Sequence, residues 1–254
     1  MIESAQTTEP PRRRWTEVNW KRVLIALAIL FALGACFEVA ESFFLPLYYM
    51  RNLSRSIPEL SLTPTALQFT KRSPLAPMRI ECFEYSFQTP WQQKTRRDFH
   101  TAAFITFQNG MSLLAAEPGS NPNFAADLRK RGPEIQKAFG SAALSSQYDW
   151  MTAELSATPA QMHWWTFRER PRLAILLGSK AADASEATAI SKIGNEELRG
   201  YQFNDSVAGT REVKLELFDV NDRRYQLHIF EGGSEVTQAD INAIIASIRP
   251  IPHS

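Results

Sequence analysis

An uncharged apolar run near the N-terminus, residues 23–37, limits where this chain can fold. A helix over this run rises about 1.5 Å per residue and reaches roughly 22 Å, which is short of the ~30 Å hydrocarbon core of a bilayer. Extension to Ser42 completes a span and places Glu38 and Glu41 near the outer interface, where a carboxylate costs less than at the bilayer centre. The sequence therefore predicts a transmembrane or signal-anchor segment over residues 20–50, with the lipid bilayer as its partner.

The residues around this segment predict its orientation. Aromatic side chains stand on both sides of it, as they do at the two membrane interfaces: Trp15, Trp20, Phe43, Phe44, Tyr48 and Tyr49. Basic side chains are more numerous before the segment than after it: Arg12, Arg13, Arg14, Lys21 and Arg22 against Arg51 and Arg55. We therefore expect a single-pass protein of the bacterial inner membrane, with residues 1–19 as a disordered cytoplasmic tail and an extracytoplasmic, periplasmic C-terminal domain.

A second interpretation starts from the sequence LGAC, Leu33–Cys36, which resembles the lipobox of bacterial lipoproteins. That resemblance implies cleavage before Cys36 and lipidation of its thiol, after a basic region and an apolar region typical of a signal peptide. The long basic region and the apolar residues after Cys36 favour an uncleaved anchor instead. Ordinary signal cleavage is the third alternative, and all three place the domain on the same side of the membrane.

The rest of the chain predicts a linker followed by one globular domain. Residues 51–77 contain four prolines among several serines and threonines, which is typical of a linker. The globular domain is expected over residues 78–254. Its first segment, RIECFEYSFQTPW, alternates Phe83, Tyr85 and Phe87 on one face and predicts a single half-buried strand.

Three hairpins and a terminal helix are predicted from local patterns. Asn109-Gly110 between two apolar runs predicts a type I′ hairpin, and TAISKIG and LRGYQFND flank the turn of another. A third hairpin is expected to place Val213, Leu215 and Leu217 on the same face as Tyr225, Leu227 and Ile229. Thr237 and Asp240 predict a capping box before a helix, whose apolar stripe comprises Ile241, Ile244, Ile245 and Ile248 and which ends before Pro250.

These elements predict an α+β domain in which helices pack on a mostly antiparallel sheet of hairpins. Residues 122–182 predict helices in pieces, with helix starts at Thr158-Pro159 and near Pro171. Because a hairpin cannot bury its apolar face alone, we expect the isoleucine stripe of the last helix to cover it.

Over residues 185–250 the chain resembles small bacterial envelope proteins with a PsbP-like α+β domain. The residues that carry the resemblance are RGYQF, KLELFDVNDRRYQLHIF and TQADINAIIASIRP. The resemblance implies an accessory or assembly factor, neither an enzyme nor a cofactor-binding protein.

The sequence contains few patterns that indicate a catalytic, cofactor-binding or metal-binding site. Zinc motifs and a G-x-S-x-G motif are missing from it, and we predict no catalytic residue, no cofactor and no metal site. Cys82 is predicted to be a buried thiol, His228 a partly exposed strand residue, and His163 a packing or hydrogen-bonding residue on a helix. Asp219, Asn221 and Asp222 are expected to form a turn, since the glycine and closing glutamate of a calcium loop are absent.

The aromatic group Trp150, Trp164, Trp165 and Phe167 is the candidate partner surface, with burial in the core as the alternative. Net charge is +1, which argues against a nucleic-acid partner. We therefore predict a membrane-anchored extracytoplasmic module that binds or assembles another protein without catalysis. The alternatives are a lipoprotein with the same domain, and an enzyme whose acid–base residues are dispersed in the sequence.

Overall fold

A large antiparallel sheet organises the part of the chain that the structure describes. The computed structural model describes residues 48, 52, 56–67, 78–130, 138–139, 145–163, 166, 168–194, 197–207, 210–232 and 235–251. None of the helices in these ranges is long and apolar enough to span a bilayer. The predicted tail, Cys36 and, apart from Tyr48, the predicted anchor over residues 20–50 lie outside the described residues.

The strands form two sheets. Their bounds are β1 Thr65–Ala66, β2 Met78–Cys82, β3 Tyr85–Thr89, β4 Gln93–Asp98, β5 Ala102–Phe107, β6 Ser112–Ala116, β7 Ala187–Gly194, β8 Leu198–Val207, β9 Thr210–Asp219, β10 Arg224–Phe230 and β11 Arg249–Pro250. The eight-stranded sheet has the order β1-β7-β8-β9-β10-β6-β5-β4, and only the β1–β7 pair is parallel. A small antiparallel sheet has the order β11-β3-β2.

The front face of the large sheet, defined by Val213, Leu215 and Leu217, carries the main core. These residues pair with Ile229, Leu227 and Tyr225 in the predicted register, and all six are buried. Helix α4, Gln238–Ser247, covers this face with Ile241, Ile244 and Ile245, and its C-cap residue Ile248 completes the predicted stripe in the same apolar cluster. The Thr237–Asp240 capping box is present, with both reciprocal hydrogen bonds at 3.2 Å. The third hairpin and the last helix are therefore confirmed.

The small sheet covers the rest of the front face, and it corrects one prediction. Phe83 does not continue a strand: it has φ 53° and turns the chain between β2 and β3, so that Cys82 pairs with Tyr85. Tyr85 and Phe87 are buried as predicted, and the Tyr85 hydroxyl donates to the carbonyl of Ala116 across the core at 3.2 Å. A positive φ is uncommon for phenylalanine, so the alternating pattern could not indicate this turn.

The Asn109-Gly110 hairpin is confirmed, but its predicted turn type is wrong. Four residues, 108–111, connect β5 and β6, and Gly110 has φ 85° whereas Asn109 has no positive φ. The Phe107 N–H donates to Met111 at 2.8 Å, and the Gly110 N–H donates to the Phe107 carbonyl at 3.1 Å. Such a connection needs one left-handed residue instead of the two that a type I′ turn requires.

Among the described residues of the predicted helical region, three helices have defined bounds: α1 Phe124–Lys130, α2 Gln147–Ser156 and α3 Arg170–Asp183. Pro171 lies in the first turn of α3, where its missing N–H costs nothing. The Thr158–Gln161 capping box is present, yet it closes only a 3-10 turn, Pro159–Gln161. His163 consequently lies in an irregular, exposed segment and not on a helix.

Helices α2 and α3 cover half of the back face, which is the other side of the large sheet. Tyr148, Met151 and Leu155 of α2 form a second core with β7, β8 and β9 residues, among them Ile190 and Phe203. A third core lies between α2, α3 and the 3-10 turn Pro58–Ser61, whose Leu60 is buried. Part of the predicted linker over residues 51–77 therefore packs on the domain.

Two glycines allow a matched test of how closely β8 packs against β9. A Cβ on Gly200 would clash with the Glu216 carbonyl and lie 2.8 Å from Leu217 Cα, whereas a Cβ on Gly178 in α3 has nothing within 4 Å. We expect Gly200→Ala to lower the free energy of unfolding by about 1–3 kcal/mol, because β8 must move away from β9. Gly178→Ala should raise it by about 0.5–1 kcal/mol through helix propensity. Urea unfolding measures both, and equal effects of the two variants would contradict the close strand approach.

Candidate functional site

The half of the back face that no described helix packs against brings polar and aromatic side chains together. We call it the outer back face and define it by the back-face residues of β9, β10, β6, β5 and β4: Glu212, Lys214, Gln226, His228, Phe230, Leu114, Phe104 and Arg97. Arg97 is exposed and the other seven are half-buried. The regular backbone ladder fixes their spacing, because side chains of neighbouring strands on one face stand opposite one another.

His228 and Glu212 form a pair on this face. Nδ1 of His228 lies 2.7 Å from Oε1 of Glu212, and the imidazole ring stacks at 6.3 Å on Phe230. Because an ionised carboxylate only accepts, Nδ1 carries the donated proton and Nε2 can accept one. Nε2 has no hydrogen-bond partner within the described ranges. The prediction that His228 is partly exposed is confirmed, since 27% of its side chain is accessible.

Glu216 has a buried carboxylate that binds a second set of polar side chains beside this pair. Its carboxylate is inaccessible to solvent and accepts from Arg224 Nε at 2.7 Å and from Gln226 Nε2 at 2.9 Å. Lys214 Nζ lies 3.3 Å from the same carboxylate and donates to the Asp183 carbonyl at the end of α3 at 3.0 Å. This carboxylate is therefore fully paired, which is how a buried charge is tolerated, and Lys214 ties the sheet to α3.

Trp150 of α2 lies against α1 and α3. It is half-buried, its ring lies 5.4 Å from Phe139 and 6.4 Å from Phe124, and its Nε1 donates to Ser179 Oγ at 3.4 Å. The other members of the predicted partner surface, Trp164, Trp165 and Phe167, lie outside the described residues. That surface stays a prediction.

Ser179 connects Trp150 to a buried acid, Glu154. Ser179 Oγ donates to Glu154 Oε2 at 2.7 Å, while Oε1 has no hydrogen-bond partner in the described structure. The side chain of Glu154 is completely buried. Burial, reinforced by the charge of Asp183, raises the pKa of Glu154 to about 8. At neutral pH this group is therefore mainly a neutral carboxylic acid.

Lys180 is buried on the same helix and is bound by backbone. Its ammonium donates to the carbonyls of Leu62 at 2.6 Å, Ala157 at 2.8 Å and Leu155 at 3.0 Å. Burial lowers the pKa of Lys180 to about 8, which still leaves the ammonium form prevailing at neutral pH. Three donors meet three carbonyls, two of them at the C-terminal end of α2, where a cation is favourable.

The remaining predicted site residues have structural contacts. Cys82 is fully buried, which confirms the prediction of a buried thiol, and burial raises the pKa of that thiol to about 11. Asp219 accepts from the N–H groups of Asn221 and Arg223, as expected of a turn. Asp222 accepts from the first N–H groups of α2, Gln147 at 2.6 Å and Tyr148 at 3.0 Å. Across the described ranges, no three potential ligands converge as a metal site.

No protein-family model matches the chain, and no curated protein sequence matches it. The PsbP-like resemblance of residues 185–250 therefore stays a prediction.

The Lys180 contacts predict a large loss of stability when the ammonium is removed. Lys180→Met would leave three carbonyls of the domain interior without their donor, and we expect a loss of about 3–5 kcal/mol. The control is Lys130→Met, because 77% of the Lys130 side chain is exposed and its ion pair contributes little. Chemical denaturation of both variants measures the difference. A loss below about 1 kcal/mol for Lys180→Met would contradict the assigned contacts.

The raised pKa of Glu154 predicts that its contribution to the free energy of unfolding falls as pH rises. Its folded pKa of about 8 exceeds the unfolded value of 4.5, so its contribution is fully present below pH 4.5 and is lost as pH rises through 8. The side chain of Glu154→Gln stays neutral at every pH. Between these two pH values we therefore expect the free energy of unfolding of the variant, relative to that of the wild type, to rise by up to about 1.4 kcal/mol per pH unit. Denaturant midpoints measured between these two pH values test this. The matching exchange at exposed Glu117 is the control, and parallel curves for Glu154→Gln and the wild type would refute the assignment.

Proposed function

We propose that this chain is a membrane-anchored protein whose α+β domain lies outside the cytoplasm and binds another protein without catalysis. The apolar segment over residues 20–50 and the excess of basic residues before it support the anchor and its orientation. Lipidation at Cys36 is the alternative anchor, and it leaves the same domain in the same compartment.

The observation that carries the binding proposal is the composition of the outer back face. Phe104 and Phe230 provide aromatic contact area, and Arg97 adds an exposed guanidinium to the same surface. Aromatic residues and arginine are the types enriched in protein interfaces, where they dominate the binding energy. The strands that carry them are hydrogen-bonded on a closed core, so little conformational entropy is lost when a partner binds.

The His228–Glu212 pair favours one second candidate, an enzyme with dispersed acid–base residues. A carboxylate on Nδ1 orients the imidazole and leaves Nε2 available as a base. If the protein is such an enzyme, His228→Gln would abolish turnover of its substrate without changing the binding of a partner protein. On the binding proposal the same variant changes capture, because the imidazole belongs to the contact surface.

Site-specific cross-linking tests the binding proposal. We expect a photoreactive residue at position 104 or 230 to form one discrete adduct with another protein in intact cells, because both positions lie on the outer back face. The control position is exposed Lys130 on α1, which should give no such adduct. An alkaline phosphatase fused after residue 254 should be active, since that enzyme requires an extracytoplasmic location. Identical adducts from all three positions, or an inactive fusion, would contradict the proposal.

A further inference from the structure

One edge of the large sheet is open to a further strand. Strand β4 is the last strand in the sheet order, and no strand of the described residues pairs with its outer side. Five of its six side chains are exposed. The ladder to β5 begins where the Phe99 N–H donates to the Ala102 carbonyl at 2.7 Å. Because bonding alternates along an antiparallel pair, the backbone groups of Arg96 and Asp98 point away from β5.

The charges along β4 determine which strand can pair with it. Arg96 is engaged within the domain, with Nε on Asp98 at 2.7 Å and Nη1 on the Glu81 carbonyl at 2.6 Å. Lys94 and Arg97 make no ion pair or hydrogen bond among the described residues. A second copy of this edge would place like charges opposite one another, which is destabilising. An acidic segment would instead neutralise both cations.

An exposed aromatic residue continues the row that Arg97 begins. Phe99 follows Arg97 by two positions and is 59% exposed. Alternation places both on the side of the sheet that carries Phe104, the direct cross-strand neighbour of Arg97. Charge alone would suffice to keep an edge from aggregating, whereas an exposed phenylalanine beside the cation adds an apolar contact for a partner.

We propose that an extended acidic segment of the partner protein adds to β4 as a ninth strand of the large sheet. Its carboxylate lies against Arg97, and an apolar residue two positions away lies against Phe99, since residues two apart share one face of a strand. Its backbone bonds to the outward groups of Arg96 and Asp98. The inference rests on the proposed binding function and names the partner chemistry.

Amide hydrogen exchange of the full-length chain in detergent tests the strand addition. The probe is the capped peptide Glu-Thr-Phe-Thr-Glu-Thr-Phe, which presents alternating carboxylates and phenyl rings on one face. The control peptide has lysine in place of each glutamate. We expect the glutamate peptide to slow exchange of the Arg96 and Asp98 amides about tenfold, because both become hydrogen-bonded, and the lysine peptide to have no effect.

Charge reversal makes the test specific. Arg97→Glu should reverse the preference, so that only the lysine peptide protects β4. Arg79→Glu, at an exposed position of β2, is the matched control, and it should keep the wild-type preference. Protection by both peptides, by neither, or elsewhere in the chain would overturn the proposal, as would protection of β4 by anionic phospholipid vesicles alone. If cross-linking from position 104 persists in any of those cases, strand addition fails while the binding function stands.

Discussion

The large sheet has a continuous apolar front face over β9, β10, β6 and β5, whereas its back face is apolar mainly over β7 and β8, and the rest of the domain depends on that asymmetry. The front face needs a continuous cover, which the small sheet and the isoleucine stripe of α4 supply. On the back, helices α2 and α3 cover the apolar side chains of β7 and β8, such as Ile190 and Phe203. Burial of apolar area, at about 25 cal/mol per Å², therefore determines where the covering elements lie. Where His228 and Gln226 interrupt the apolar side chains of the back face, no described helix packs on the sheet.

Glu216 on the sheet and Lys180 and Glu154 on the helices are buried, and a buried polar group needs a partner. Glu216 accepts from Arg224 and Gln226 on the sheet, and Lys214 continues that network to the last carbonyl of α3. Lys180 does the same for the helices, because its three carbonyl partners join α2 to the segment that follows the 3-10 turn Pro58–Ser61. Glu154 differs from these groups, since one of its oxygens lacks a hydrogen bond in the described structure and its raised pKa keeps it mainly uncharged. Neutralisation thus replaces pairing where the packing supplies no cation in contact.

Sequence patterns predicted the elements whose signals are local. The register of Val213, Leu215 and Leu217 against Ile229, Leu227 and Tyr225 follows from period-two alternation around a short turn, and the last helix follows from its cap and stripe. The turn at Phe83 could not be predicted, because a positive φ in phenylalanine has no sequence signal. Nor could the Lys180 site, because Leu62, Leu155 and Ala157 contribute backbone atoms that carry no residue-type signal. The His228–Glu212 pair could have been predicted, because the predicted register already places Glu212 diagonal to His228 on the polar side.

The edge of β4 and the outer back face belong to one interface in this proposal. Arg97 is a member of both and stands opposite Phe104 of β5, so a strand added at β4 would extend the outer back face without a gap. A short added strand by itself buries far less than the roughly 800 Å² per partner of a typical stable complex. Additional contact would have to come from the partner's residues that follow the strand across Phe104, Leu114 and Phe230. The backbone edge would then fix the partner's register, and the aromatic face would add binding energy from the residue types that dominate protein interfaces.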